Sequence, residues 1–156
     1  MRTKIVAAFP GSGKSVFYRK YMNITLDSDS SFFSWLKDKD GNNTDKRNPN
    51  FPLNYIKYIK QNIGKYEFIL VSTHSIMREA LLDQCLFFYY IMPPYDKKDD
   101  FIKRYYERGN DMRFIEMLNV NWDKFQYEFQ NTKIGCQKIV MSSDYLETEL
   151  LKLRET

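Results

Sequence analysis

The sequence predicts an α/β domain built on a parallel sheet, and three observations carry that prediction. Short apolar runs alternate with longer amphipathic ones along the chain. The first apolar run, Ile5-Val6-Ala7-Ala8, leads directly into the glycine-containing segment Phe9-Pro10-Gly11-Ser12-Gly13-Lys14-Ser15, the order strand, loop, helix. The length of 156 residues suits one domain with a full core.

Five strands are expected, over Lys4 to Ala8, Ile24 to Asp27, Phe68 to Ser72, Leu86 to Met92 and Lys138 to Met141. The first helix runs from Gly13 to Tyr21, out of the glycine loop. Pro52 suits a helix start, and Tyr55, Ile56, Ile59 and Ile63 recur at helical spacing after it. A short helix over Ser75 to Gln84 takes Ser75 as its cap, and a longer one over Lys97 to Arg108 stops at Gly109. Met112 to Phe129 reads as one further helix, with Met112, Met117, Leu118 and Trp122 as packing residues, and Ser143 to Leu153 as the last, capped by Ser143. The polar stretch Lys37 to Asn50 reads as the single long loop, which inside a compact domain points to a substrate loop.

The segment Ala8 to Ser15 carries the most chemical information. Glycines let successive backbone N–H groups turn around an anion, and the helix that follows aims its positive end at the same point. Pro10, Gly11, Ser12, Gly13, Lys14, Ser15 and Val16 are therefore the expected phosphate-binding residues. Lys14 would reach the β- and γ-phosphates of a nucleotide, and the Ser15 hydroxyl would ligate Mg²⁺. The pattern G-x-x-x-x-G-K-[ST] is met except at its first glycine, which is Ala8 here. That glycine eases the exit from the strand, whereas the cradle is built from Gly11 to Ser15.

A parallel sheet places ligands at the carboxyl ends of its strands, so residues just after a strand count most. Asp27 and Asp29 follow the second strand, where a carboxylate can accept an acceptor's proton, orient it, or hold Mg²⁺ through water. Asp29 is the first choice and Asp27 the second, and either of Ser28 and Asp29 could instead cap the next helix. The third strand ends in Val71-Ser72-Thr73-His74 without an acidic residue, unlike the strand-end carboxylate of motor and switch NTPases. His74, the only histidine, sits at that mouth as a substrate contact or a polar cap, and a single histidine does not make a metal site. Arg78, one turn on, could pair with an acceptor's phosphate or carboxylate. Arg104 and Arg108 share a helix face beside Gly109, where guanidinium groups on a lid around residues 95 to 115 would neutralise a transferring phosphoryl group. Lys103 reads as a solvated-face residue. Met141 to Leu146 lies where a nucleotide base could rest.

Composition narrows the classes further. The net charge of +4 is spread along the chain without a basic block, which suits a small anionic ligand better than a nucleic acid. Cys85 and Cys136 lack metal-ligand spacing and read as reduced core thiols. No apolar run approaches a membrane span, and no signal peptide is legible before the first strand, so the reading is an intracellular, cytoplasmic protein without a membrane partner.

Together, the loop from Phe9 to Ser15, the Asp27-Ser28-Asp29 step, the missing acid after the third strand and Arg104 with Arg108-Gly109 resemble the P-loop kinase superfamily. Within it the resemblance is to phage-type (deoxy)nucleoside monophosphate kinases and the kinase domain of polynucleotide 5′-kinases. It implies a three-layer fold with a five-stranded parallel sheet of order 2-3-1-4-5 and helices on both faces. It also implies ATP with Mg²⁺ as donor, Lys14 on the transferring group, Asp29 or Asp27 on the acceptor and arginines closing over the phosphates. A phage origin would place the protein in a host cytoplasm. The leading reading is a nucleoside monophosphate kinase, ahead of a polynucleotide 5′-hydroxyl or other small-molecule kinase. A nucleotide-binding regulatory protein without transfer activity is the competing class.

Overall fold

A computed structural model describes residues 1–27 and 30–154. Its centre is a five-stranded, all-parallel sheet flanked by helices, formed by β1 (Lys4–Ala8), β2 (Thr25–Asp27), β5 (Phe68–Val71), β6 (Phe88–Met92) and β7 (Cys136–Val140). Across the sheet the order is β2-β5-β1-β6-β7. This differs in numbering from 2-3-1-4-5 because β3 (Trp35–Lys37) and β4 (Asn43–Arg47), a separate antiparallel hairpin, enter the count between β2 and β5.

The position of a strand in the sheet explains its sequence. The central strands β1, β5 and β6 are covered on both faces and read as unbroken apolar runs: Val6, Ala7, Ala8, Ile69, Leu70 and Ile91 are fully buried. The edge strand β7 is mostly open, and Val140 is exposed. It begins at Cys136, two residues before the expected start, because Cys136 pairs with Phe88.

Several local expectations are corrected. The stretch Lys37 to Asn50 holds β4 and is not one long loop. Its turn is closed by the Asp38 carboxylate, which accepts from the backbone N–H groups of Asp40 and Asn42, with Gly41 at φ 81°. Met112 to Phe129 is two helices, α6 (Met112–Val120) and α7 (Trp122–Asn131), broken at Asn121. The break lets Trp122 donate from its indole N–H to the Tyr95 carbonyl, and Gln126 from its amide to that of Pro93, while Ile115 and Leu118 stay buried on α6. Met112 and Met117 are exposed, so they do not belong to the core.

The cysteines are not core thiols either, since Cys85 is exposed and Cys136 half-buried. Cys85, at φ 55°, occupies the left-handed position that ends α4 (Ser75–Asp83). There its N–H donates to Leu82 O while the Leu86 N–H donates to Leu81 O. That turn uses residues expected to start the next strand, so β6 begins at Phe88. Finally, α4 is capped by His74, whose Nδ1 accepts from the Ile76 N–H at 3.2 Å, and not by Ser75.

Candidate functional site

β1 ends at Ala8, and the chain turns through Phe9 to Gly13 into α1 (Lys14–Lys20). Phe9 is buried under the turn, edge-on to Trp122 at 5.5 Å and to Phe125 at 5.9 Å between ring centres, which fixes the loop to α7. Gly11 and Gly13 have φ of 81° and 105°, the left-handed region that a residue with a Cβ disfavours. Gly11 has a second reason to be glycine: a Cβ there would stand 2.7 Å from Cε1 of Tyr105. The ring of Tyr105 belongs to α5 (Lys98–Glu107), and its hydroxyl donates to Pro10 O at 2.7 Å. Burial pushes that phenol's pKa well above its ordinary value, so it remains a donor.

Lys14 Nζ donates to the Ala8 carbonyl at 2.7 Å, which holds the ammonium over the end of β1. Arg104 reaches the loop from α5, with Nη1 donating to Gly11 O at 3.0 Å. Its guanidinium lies between the Phe101 ring, at 4.3 Å, and the Tyr145 ring, at 4.7 Å. Asp144 stands 3.8 Å from Nη2 of the same group. The last helix, α8 (Leu146–Arg154), is tied to the loop by the Leu146 N–H donating to Ser12 O at 2.8 Å. Its first turn is completed by Glu149, which accepts from the backbone and the hydroxyl of Ser142. Ser143, the expected cap, instead donates to Tyr145 O.

These residues enclose a cavity of about 740 Å³ lined by Pro10, Gly11, Gly13, Lys14, Ser15, Val16, Arg104, Arg108 and Tyr145, with Arg19, Asn110 and Phe114 at its side. Of the expected phosphate-binding residues, only Ser12 stays out of the lining, fully buried beneath the loop. Arg104 and Arg108 are brought to the loop together. The helix that carries them is part of the core and not a free-standing flap, because Phe101 and Tyr105 are buried. α5 ends on Gly109 at φ 72°, whose N–H donates to Tyr106 O while that of Asn110 donates to Tyr105 O. Lys103 pairs with Glu107 on the open face, 3.8 Å away.

A second cavity of about 690 Å³ lies beside the first, and Pro10 and Phe114 line both. Its floor comes from Phe9, Tyr90, Met92 and the Ser72 to Met77 segment, which places it at the carboxyl ends of β1, β5 and β6. One wall is Ser30, Ser34, Arg47 and Phe51, and the other is formed by α6 and α7, including Met117, Lys124, Phe125 and Glu128. His74 lines this cavity while capping α4. With Nδ1 accepting a backbone N–H, the neutral ring carries its proton on Nε2.

Arg78 is not delivered to the open mouth. It is buried beneath it, donating to Thr73 O and to Glu128 Oε2 at 2.7 Å, with its guanidinium 4.9 Å from the Tyr90 ring centre. Burial pushes the Tyr90 phenol up to about 12, so it is neutral near pH 7. Asp27 closes β2 as a half-buried residue, and Asp29 lies outside the described residues.

Sequence reasoning missed Arg47, Lys124 and Glu128. The Asp38-Lys39-Asp40-Gly41 turn between Trp35-Leu36-Lys37 and Asn43 to Arg47 is the hairpin signal that would have found Arg47. Nothing local marks the other two. A magnesium ion arriving with a nucleotide needs few protein ligands, and the Ser15 hydroxyl in the loop cavity fits that requirement. Among the described residues, no three His, Cys, Asp or Glu side chains gather to hold a metal unaided. No helix among them is long and apolar enough to cross a membrane. No protein-family model and no curated protein matches the chain.

Proposed function

We propose that this protein is an ATP- and Mg²⁺-dependent phosphotransferase of the P-loop kinase type, acting on a nucleoside monophosphate. One observation carries the reading: the loop cavity with Lys14, Ser15 and two arginines abuts a second, aromatic-lined cavity at the same sheet edge, with Pro10 and Phe114 shared. A donor in the first and an acceptor in the second would meet at that junction.

In this reading the backbone N–H groups of Gly11, Gly13, Lys14 and Ser15 cradle the β- and γ-phosphates. Lys14 leaves the Ala8 carbonyl for phosphate oxygens, and Arg104 and Arg108 neutralise charge that spreads over the transferring group. The ring of Tyr145, already stacked on Arg104, supplies one face for the donor's base. Magnesium bound with the nucleotide would offset polyphosphate charge, with Ser15 as its protein ligand. Asp27 closes β2 and lines neither cavity, so no contact with the acceptor is assigned to it.

The test is ADP formation from ATP with a panel of nucleoside monophosphates, nucleosides and a 5′-hydroxyl oligonucleotide, with Lys14→Ala as control. Turnover on monophosphates is expected, with kcat/KM about 10²- to 10³-fold lower in Lys14→Ala. If no acceptor raises ADP formation above hydrolysis in buffer, the reading fails. Preference for the oligonucleotide would move the acceptor to a polynucleotide end.

A further inference from the structure

We infer that Arg47 and Lys124 form the anion-binding end of the second cavity, and that its ligand is a phosphate monoester held by both cations. The two come from separate elements, Arg47 from the end of β4 and Lys124 from α7, and the fold brings both into the lining of one cavity. The described carboxylate in that lining is Glu128, and Arg78 already occupies it at 2.7 Å. Among the described residues neither Arg47 nor Lys124 has an ion-pair partner.

Arg47 is also prepared for an anion. Its guanidinium lies over the Trp35 ring, 4.2 Å from the centre, so stacking orders the group while its N–H edge stays available for two parallel bonds to phosphate oxygens. Phe51, Phe114 and Phe125 in the same cavity offer flat apolar surface for the base of a nucleotide. Two cations without an ion-pair partner among the described residues, beside aromatic rings, suit a nucleoside monophosphate and fit an uncharged nucleoside poorly.

The transfer half of this inference rests on the phosphotransferase reading, whereas the binding half does not. A phosphate monoester, with a second pKa of about 6, is largely dianionic at neutral pH, so its oxygen needs no base. A bond forms between that oxygen and the γ-phosphorus of ATP. The bond from γ-phosphorus to the oxygen bridging to the β-phosphate breaks, and its electron pair leaves with ADP.

The experiment uses the full chain and Arg47→Gln, Lys124→Gln and Lys124→Arg variants. The probes are the 5′-monophosphates of adenosine, guanosine, cytidine and thymidine beside the matching nucleosides. Equilibrium binding is followed with ADP present, and KM for acceptor and for ATP are measured separately. Each Gln variant should weaken monophosphate binding and raise the acceptor KM about tenfold, with the ATP KM and thermal midpoint unchanged and with Lys124→Arg close to wild type. Unchanged monophosphate binding in both Gln variants, or nucleosides bound as tightly as monophosphates, overturns the site. Monophosphate binding that depends on Arg47 without ADP formation upholds the anion site and refutes phosphotransfer. Turnover of a hydroxyl acceptor with the same KM in both Gln variants does the reverse.

Discussion

The two cavities are built by opposite strategies. The loop-side cavity takes half of its lining residues from one short segment, Pro10 to Val16, shaped by backbone angles at Gly11 and Gly13. The second cavity takes its lining from the ends of three sheet strands, the β3–β4 hairpin, α2 (Ser31–Ser34) and the α6–α7 pair, with no two consecutive glycine-shaped turns among them. A site made by a short segment is damaged by changes within that segment. A site made by topology is damaged by changes beneath it, at residues that need not touch a ligand.

The Arg78–Glu128 pair tests the second half of that contrast most strongly. Arg78→Ala strands the Glu128 carboxylate and the Thr73 carbonyl, and should destabilise the fold by about 3 kcal/mol. Nucleotide binding at the loop should survive in the folded fraction. Adding Glu128→Leu should recover part of the loss, since no carboxylate is then left unpaired. Urea unfolding with ADP titration reads both, and a full loss of ADP binding in folded Arg78→Ala would erase the contrast.

Gly11→Ala and Gly41→Ala sharpen the first half. Both glycines have φ of 81°, but a Cβ meets Tyr105 at Gly11 and nothing within 4 Å at Gly41. Gly41→Ala should cost about 1 kcal/mol from backbone conformation alone. Gly11→Ala adds overpacking of about 1–3 kcal/mol and should weaken ADP binding. Equal losses in the two variants would mean that Tyr105 yields freely.

The smallest effect concerns how α1 is tied to α8. The Glu147 carboxyl is held below its ordinary value by hydrogen bonds from Lys20 and then Tyr21. A lowered folded-state pKa gives stability that is present above the unfolded value and lost as pH falls through the folded one. Glu147→Gln should therefore lower the thermal midpoint slightly at neutral pH and flatten the acid side of the profile, variant and wild type converging as the Glu147 carboxyl protonates at low pH. An identical acid limb in the variant would remove this tie from the account.

Legibility in the sequence follows the range of the interactions. β1, β5 and β6 are evident as apolar runs because both faces of a central parallel strand are buried, and the Gly11 to Ser15 stretch is evident because its constraints are local. The break at Asn121 is not evident. Ile115, Leu118, Trp122, Gln126 and Phe129 are all buried and continue one helical period straight through it. Likewise, Arg78 has the chemistry of an anion ligand and sits near a strand mouth, but Glu128, fifty residues away, claims its guanidinium.

By itself the sequence determined the α/β alternation, the strand–loop–helix unit at Ala8 to Ser15 and the placement of Arg104 and Arg108 on one helix face. Each is written in spacing and backbone preference over a few residues. Only the tertiary structure decided that Tyr105 closes on Gly11, that Arg78 is consumed by Glu128, and that Arg47 and Lys124 face one cavity. Those outcomes are pairings between segments 40 or more residues apart in the chain. Such pairings are selected by the packing of the whole core, which no local pattern encodes.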